Sequence, residues 1–168
     1  MAQATKIGEL AVRRSIEIDA PPARVWQEFE TQDRMAQWYT TAGGVDMGAR
    51  RLDYEPRVGG LFETEGLHAG VLSFLFTGRV LVFDPPRELT VEMKAVRIGD
   101  DPPNWPDATL VTFLLHPLPG DRCKVEIVHH AFERFGDQAQ ELYEGFEGGW
   151  DLAPLTALRN IVQTGRAK

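Results

Sequence analysis

Four histidines, one cysteine and a spread of carboxylates are the side chains in this chain able to move protons or hold a metal. His129 and His130 are neighbours in an alternating segment, so in a strand they point to opposite faces and cannot ligate one ion together. His129 shares parity with Cys123, Val125 and Ile127 and is expected to face the interior, whereas His130 follows Lys124 and Glu126 outward. An interior histidine is ordinarily a core residue hydrogen-bonded to a neighbour. The sharper reading makes His129 the polar group of a site, together with Thr64, which shares parity with Phe62. These two are the candidates for catalysis, and neither is assigned a step. His68 has the parity of Thr64 unless Gly66 and Gly70 introduce a bulge. His116, before Pro117 at a strand end, is expected to be exposed. Glu63 and Glu65 take the face opposite Phe62 and read as solvated, which makes them poor buried acids. The sequence holds no Walker-type loop, dinucleotide fingerprint, nucleophile elbow or His-Glu-x-x-His helix. Gly59-Gly60 is more simply a turn that needs positive φ than a phosphate cradle. A single cysteine, Cys123, excludes an internal disulfide and a cysteine-rich zinc site. No metal and no cofactor is expected.

A second set is apolar: Trp26, Trp38, Phe62, Phe74, Phe76, Met93 and Trp150. At 168 residues and 43% hydrophobic, the chain has the material for one sizeable core, and seven large apolar side chains belong in it by default. A single domain over 1–168 is expected, with its core at about 10–164 and a flexible extension at 1–9. The 25 acidic against 18 basic residues leave a net charge of −7, which disfavours nucleic acid and anionic membrane surfaces as partners. No apolar run approaches the ~20 residues that span a bilayer, so no membrane insertion is expected. Met1 to Lys6 lacks the apolar centre of a signal peptide. The expected location is cytoplasmic.

These side chains must be positioned by elements that the spacing makes legible. Val12, Ile16 and Ile18 alternate with Arg13, Ser15 and Glu17, the period of a half-buried strand, and Pro21-Pro22 then ends pairing and pre-sets φ for a helix. Val25, Trp26 and Phe29 fall on one side of that short helix, and a second runs from Thr31 to Trp38. The Gly43-Gly44 and Gly48 stretch reads as a loop. From Arg51 to Ala131 the pattern is strand-like, with turns at Pro56 to Gly60, Gly66 to Gly70, Asp84-Pro85-Pro86 and Pro119-Gly120-Asp121. Tight turns make those strands antiparallel. Leu72, Phe74, Phe76, Val80 and Val82 share one parity, as do Leu89, Val91 and Met93. Thr90, Glu92 and Lys94 take the other face, so one side of the sheet is expected to be buried. Arg97 to Asp107, rich in Asp and Pro, reads as an exposed loop. Toward the C-terminus, Asp137 with Gln140 has the form of a capping box, the glycines 145, 148 and 149 predict a break before Asp151, and Trp150, Pro154, Leu155, Ala157, Leu158, Ile161 and Val162 form an apolar stripe. Pro154 requires that last helix to begin near Asp151. The acidic segment Glu133 to Glu147 reads as a solvated face, open also to a basic partner.

The strand-to-helix junction ending in Ala20-Pro21 and Val25-Trp26, then Gly59-Gly60-Leu61-Phe62, Gly78 to Leu89, His129 to Phe132 and Gly149-Trp150, resembles the START-like (SRPBCC) superfamily. Within it the chain is similar to the family related to the Hsp90-ATPase activator domain, over about Val12 to Val162. The resemblance implies an α+β helix-grip fold of the START/Bet v1-like kind: a curved antiparallel sheet around a long C-terminal helix, with two short helices after the first strand and an apolar cavity between. Where that family commonly places a second Trp and Gly-Pro after the position of Trp38, this chain has Tyr39-Thr40-Thr41. The implied activity is binding of a hydrophobic small molecule or lipid by Trp38, Phe62, Thr64, Phe74, Phe76, Val91, Met93, His129 and Trp150. The resemblance also implies two alternatives, a polyketide cyclase or aromatase using His129 and Thr64, and a co-chaperone that stimulates an Hsp90-type ATPase. A non-catalytic role is favoured, and a monomer or homodimer is expected.

Overall fold

The computed structural model describes residues 7–40, 48–68, 71–98, 103 and 105–167, with backbone alone for 48, 67, 68 and 71–73. The Gly43-Gly44 stretch, the turn at Gly70, most of the 1–9 extension, the Asp100-Asp101-Pro102 part of the expected loop, and the side chains of His68 and Leu72 lie outside what is described.

Seven strands form one antiparallel sheet: β1 Val12–Ile18, β2 Gly48–Tyr54, β3 Leu61–His68, β4 Val71–Asp84, β5 Glu88–Ile98, β6 Thr109–Leu118 and β7 Arg122–His130, in the order β1-β7-β6-β5-β4-β3-β2. The first strand thus pairs with the last, Val12 opposite His129 and Ile18 opposite Cys123. Register shifts at Ala49/Arg51, Gly66/Leu67, Leu75/Phe76 and Val80/Val82 put bulges into the β2 to β5 half. Each bulge bends its strand and adds right-handed twist, so this half of the sheet curls. The curl brings β4 and β5 into close contact at Gly78, where a Cβ would sit 2.1 Å from the Glu92 carbonyl oxygen. Only glycine fits there.

Helices cover the concave face. Pro21 is extended and Pro22 opens α1, Pro22–Trp26, which a 3-10 turn continues through Phe29 to bury Val25, Trp26 and Phe29. Thr31 caps α2, Gln32–Tyr39, its hydroxyl accepting from the Arg34 N–H at 3.1 Å. The Glu28 carboxylate beneath is buried but paired with Arg24 at 2.7 Å and Arg34 at 3.2 Å. The sequence expectation of two short helices after β1 therefore stands, displaced by one residue.

The C-terminal region departs from the expected capping box. A 3-10 segment runs Phe132–Gln138, and Gly136 inside it is non-helical at φ 55°, ψ −121°. That reversal leaves Asp137 ahead of the helix, so α3, Ala139–Gly149, starts at Gln138 with no side-chain cap. Gln140 donates instead to Glu144 at 3.0 Å. The break falls where the glycines predict it: Trp150 is extended, and α4, Ala153–Thr164, begins with Pro154 in its first turn. α4 presses Leu155, Ala157, Leu158 and Ile161 into the core beside α2 and β1. At 12 residues it spans about 18 Å.

Three further expectations are corrected. Gly48 belongs to β2 and not to a loop, and β5 continues through Arg97 and Ile98, which pair with Leu75 and Phe74. Trp105, within the segment expected to be exposed, packs its ring against Phe76, Phe135 and Phe146. Finally, the outer face of the sheet is not wholly solvated. His130 does point to it, as parity requires, but is only 1% exposed, and Thr90, Thr112 and Glu88 are buried beside it. Thr90 donates to Glu88 Oε2 at 2.6 Å, the Thr90 and Thr112 hydroxyls are 2.9 Å apart, and Thr112 lies 2.8 Å from His130 Nε2. With the Thr90 proton on Glu88, Thr112 donates to Thr90 and His130 donates from Nε2 to Thr112. The relay gives both hydroxyls, Glu88 Oε2 and His130 Nε2 a partner, which is what permits burial.

Candidate functional site

The residues expected to line a site separate into two groups. Trp38 and Phe62 belong to a packed end beneath α1 and α2, and Val91, fully buried, lies between Val80 and Val111 in the middle of the sheet. Trp38 is 0% exposed, its ring centroid 5.0 Å from Phe29, 5.7 Å from Tyr39 and 6.1 Å from Phe113, while its Nε1–H donates to the Glu28 carbonyl at 3.0 Å. Phe62 meets Tyr39 and Tyr54, each at 5.7 Å, and the Tyr54 hydroxyl donates to Phe29 O at 2.8 Å. Burial pushes both tyrosine hydroxyls well above their ordinary pKa. Rings at these separations are in contact, so this end of the interior is a packed aromatic cluster. Thr64, also buried, stands opposite Leu52 on one side and Phe76 on the other.

The second group gathers at the other end of the sheet. Phe76 and Met93 are buried there, and Phe74 and Trp150 are half-buried around them. Phe74 and Phe76 lie 4.8 Å apart, and α3 adds Phe146, 6.0 Å from Phe76 and 4.4 Å from the His129 ring in a T-shaped contact. Trp105 closes on the same rings at 6.0 Å from Phe76 and 6.2 Å from Phe146. Phe132 completes the wall behind His129 at 4.8 Å. Phe74, Trp105, Phe146 and Trp150 keep part of their surface in solvent, so the core opens here as a continuous aromatic cluster.

His129 is the polar floor of this cluster, and its hydrogen bonds determine its protonation. Thr109 Oγ1 donates to the Met93 carbonyl at 3.0 Å, so it must accept from His129 Nε2–H at 2.7 Å. Trp150 Nε1–H donates to His129 Nδ1 at 3.0 Å. Both ring nitrogens are thus engaged in the neutral tautomer. Burial, with a smaller contribution from His130, lowers the His129 pKa from 6.5 to about 3, and burial lowers that of His130 to about 4. A proton taken by His129 would break the bond from Trp150. The geometry suits a fixed neutral dipole better than an acid or base in turnover.

Arg14 holds the Trp150 end in place. It sits on the inward face of β1 and donates to the Trp150 carbonyl at 3.2 Å and the Glu147 carbonyl at 2.8 Å, with the Glu147 carboxylate 3.3 Å away. A cation on the last carbonyls of α3 is also where the helix dipole favours one. Sequence reasoning missed Arg14, Trp105, Thr109 and Phe146. Arg14 had a signal, an arginine with the parity of Val12 and Ile16, and so had Trp105, a lone indole among prolines and aspartates.

The other titratable residues stand apart. Glu63 pairs with Arg51 at 3.2 Å and Glu65 with Arg50 at 2.8 Å on the outer face. His116 is half-exposed, 3.3 Å from Glu126. Among the described residues no three His, Cys, Asp or Glu side chains converge as metal ligands, and no helix is long and apolar enough to cross a membrane.

Comparison with known proteins agrees with this architecture. A protein from Arthrobacter aurescens, solved by NMR, superposes with TM-score 0.68 at 18% identity, over 98% of this chain and 93% of that one. The Aha1 dimer from Colwellia psychrerythraea gives TM-score 0.57 at 17% identity, over 92% and 97%. DynU16, a protein of the dynemicin biosynthetic locus, gives 0.60 at 18% identity, and 95% of this chain matches 49% of that one. No curated protein sequence matches. The curled antiparallel sheet with its C-terminal helix is a helix-grip fold, and the family model for activator of Hsp90 ATPase homolog 1-like protein matches residues 19–163; the chain belongs to that family.

Proposed function

We propose that this domain binds a hydrophobic small molecule at the half-exposed aromatic cluster formed by Phe74, Phe76, Trp105, Phe146 and Trp150 over His129. The observation that carries the reading is that Phe74, Trp105, Phe146 and Trp150 are continuous with the core yet partly open to solvent, while the rings around Trp38 are buried against one another. Apolar walls with one oriented polar group are what small-molecule sites are made of. Nile red, titrated into the purified protein, should bind saturably with a blue-shifted emission, and Trp105→Ala should weaken it. Fluorescence that rises without saturation would remove the site.

A cyclase-type enzyme is the second reading, favoured by the structural likeness to a protein from a biosynthetic locus. Its candidates are Thr64 and His129, whose Nδ1 would accept from a substrate hydroxyl only once Trp150 Nε1–H is withdrawn from it. Loss of turnover on a cyclisation substrate in His129→Ala and Thr64→Ala, with Nile red binding retained, would support it. The activator role that the family name carries is tested by ATP turnover of an Hsp90-type chaperone with and without the protein.

A further inference from the structure

The chemistry of the site's occupant follows from what now fills it. One side chain, Phe146, contacts His129, Phe76, Trp105 and Phe132 at once, with centroid distances of 4.4, 6.0, 6.2 and 6.0 Å. It is carried by α3, in which Ala139 is the one buried residue and Leu142, Tyr143 and Phe146 are half-buried against the core. We propose that the site takes an uncharged planar aromatic molecule in the position of the Phe146 ring, and that α3 is the lid which lifts Phe146 out to admit it. The inference rests on the ligand-binding reading above and names the ligand class and the moving part.

The lid is weakly held. Its second half contains Gly145, Gly148 and Gly149, and a Cβ at any of the three would meet nothing within 4 Å. Packing therefore does not require glycine at these positions, although each lowers helix stability by about 1 kcal/mol relative to alanine. The ends of α3 are conformational breaks, Gly136 at φ 55° and Trp150 in extended conformation. Arg14 is the clasp, bound to the carbonyls of Glu147 and Trp150. The floor is different. His129 and Thr109 are fully buried and hydrogen-bonded into the sheet, so the opening motion belongs to α3.

With Phe146 withdrawn, the space is bounded by the rings of Phe76, Trp105 and Phe132 and by a neutral imidazole. Aromatic walls favour an occupant that presents a face or an edge to each of them. With α3 closed, Arg14 is held on Glu147 and Arg134 on the Ala108 carbonyl and Asp107, while Arg97 pairs with Glu65 on the outer face. The walls themselves carry no charge, and burying a carboxylate unpaired among them is strongly unfavourable.

Nile red bound to the full-length protein can be displaced by 1-naphthol, octan-1-ol or octanoate at pH 7. Naphthol should compete best and octanoate worst, the two differing by roughly tenfold or more in the concentration needed. In stopped flow, Phe146→Ala should bind Nile red about threefold faster or more, and Gly145→Ala with Gly148→Ala should slow association. Phe146→Leu, with circular dichroism on every variant, guards against an effect of misfolding. Absence of saturable Nile red binding in the natural protein overturns the ligand-binding reading itself. Saturable binding with octanoate competing as well as naphthol overturns the ligand class alone, and unchanged association rates in the folded variants overturn the lid.

Discussion

Lowering the pH from 7 to 5 should destabilise this protein through two adjacent histidines on opposite faces of β7. In the folded chain His129 is held to about 3 and His130 to about 4, both from an ordinary 6.5 and both chiefly by burial. Because the folded values are depressed, stability is fully present above pH 6.5 and is lost as the pH falls toward the folded values, since only the unfolded chain takes up protons there. At pH 5 each histidine lies 1.5 units below its unfolded pKa, at about 1.4 kcal/mol per unit, so each costs about 2 kcal/mol and the pair about 4 kcal/mol. That is a large share of the roughly 5–15 kcal/mol by which domains are stable. The carboxylates held low by their partners, Glu55 by the Leu61 N–H, Glu65 by Arg50 and Asp84 by Arg87, lose their contribution mainly below this window and add little to the slope. Urea unfolding followed by circular dichroism at pH 7 and pH 5 measures the loss. The natural protein should lose about 4 kcal/mol, and His129→Gln and His130→Gln should each lose about 2 kcal/mol relative to their own pH 7 values. Equal stability at the two pH values, or an undiminished loss in both variants, would refute the assignment of two buried neutral imidazoles.

Three other outcomes follow from local geometry. Gly78→Ala should lower stability by about 3 kcal/mol, seen as a fall in Tm of roughly 6–10 °C, because its Cβ would lie 2.1 Å from the Glu92 carbonyl oxygen between two paired strands. Trp38→Phe should cost about 2 kcal/mol more than Trp26→Phe in chemical denaturation, although both remove the same volume. The reason is that Trp38 Nε1–H donates to Glu28 O, whereas the buried Trp26 Nε1–H has no protein acceptor among the described residues. Cys123, whose thiol burial pushes up to about 11 against an opposing hydrogen bond from the His116 backbone, should resist Ellman's reagent at pH 8 until denaturant is added. Reaction at the rate of a free thiol in the native protein would contradict its burial.

Much of the architecture was legible because it depends on local periodicity. The parity of Val12, Ile16 and Ile18 gave β1, the pair Pro21-Pro22 its end, and Gly and Pro the turns, and each of these is a short-range steric property. The capping box at Asp137 failed for an equally local reason that the pattern does not express: Gly136 reverses the chain one residue before it. Which residues form a site was far less legible. Parity assigns a side chain to a face, but not to a position along the sheet: Phe62 and Phe76 share a face in unbroken β3–β4 register, yet Phe62 meets Tyr39 and Tyr54 whereas Phe76 meets Phe74, Trp105 and Phe146. Phe146 and Trp105 reach the cluster from a helix and a loop, where strand parity has no purchase.

His129 and His130 show why a face and its solvation are separate questions. Parity sends them to opposite sides, and the structure agrees, yet both are buried because each ends a hydroxyl relay across the sheet. On the concave side the relay runs through Thr109 to the Met93 carbonyl, and on the convex side through Thr112 and Thr90 to Glu88. The end of β7 is therefore tied to β6 and β5 through both faces by imidazoles that are stable only when neutral. Loosening one relay exposes polar groups that the other cannot satisfy, so this region resists deformation as a unit. A ligand bound above this fixed floor, as proposed, would enter by movement elsewhere, and the glycine-rich helix, clasped by Arg14 and reaching the floor through Phe146, is the element placed to supply it.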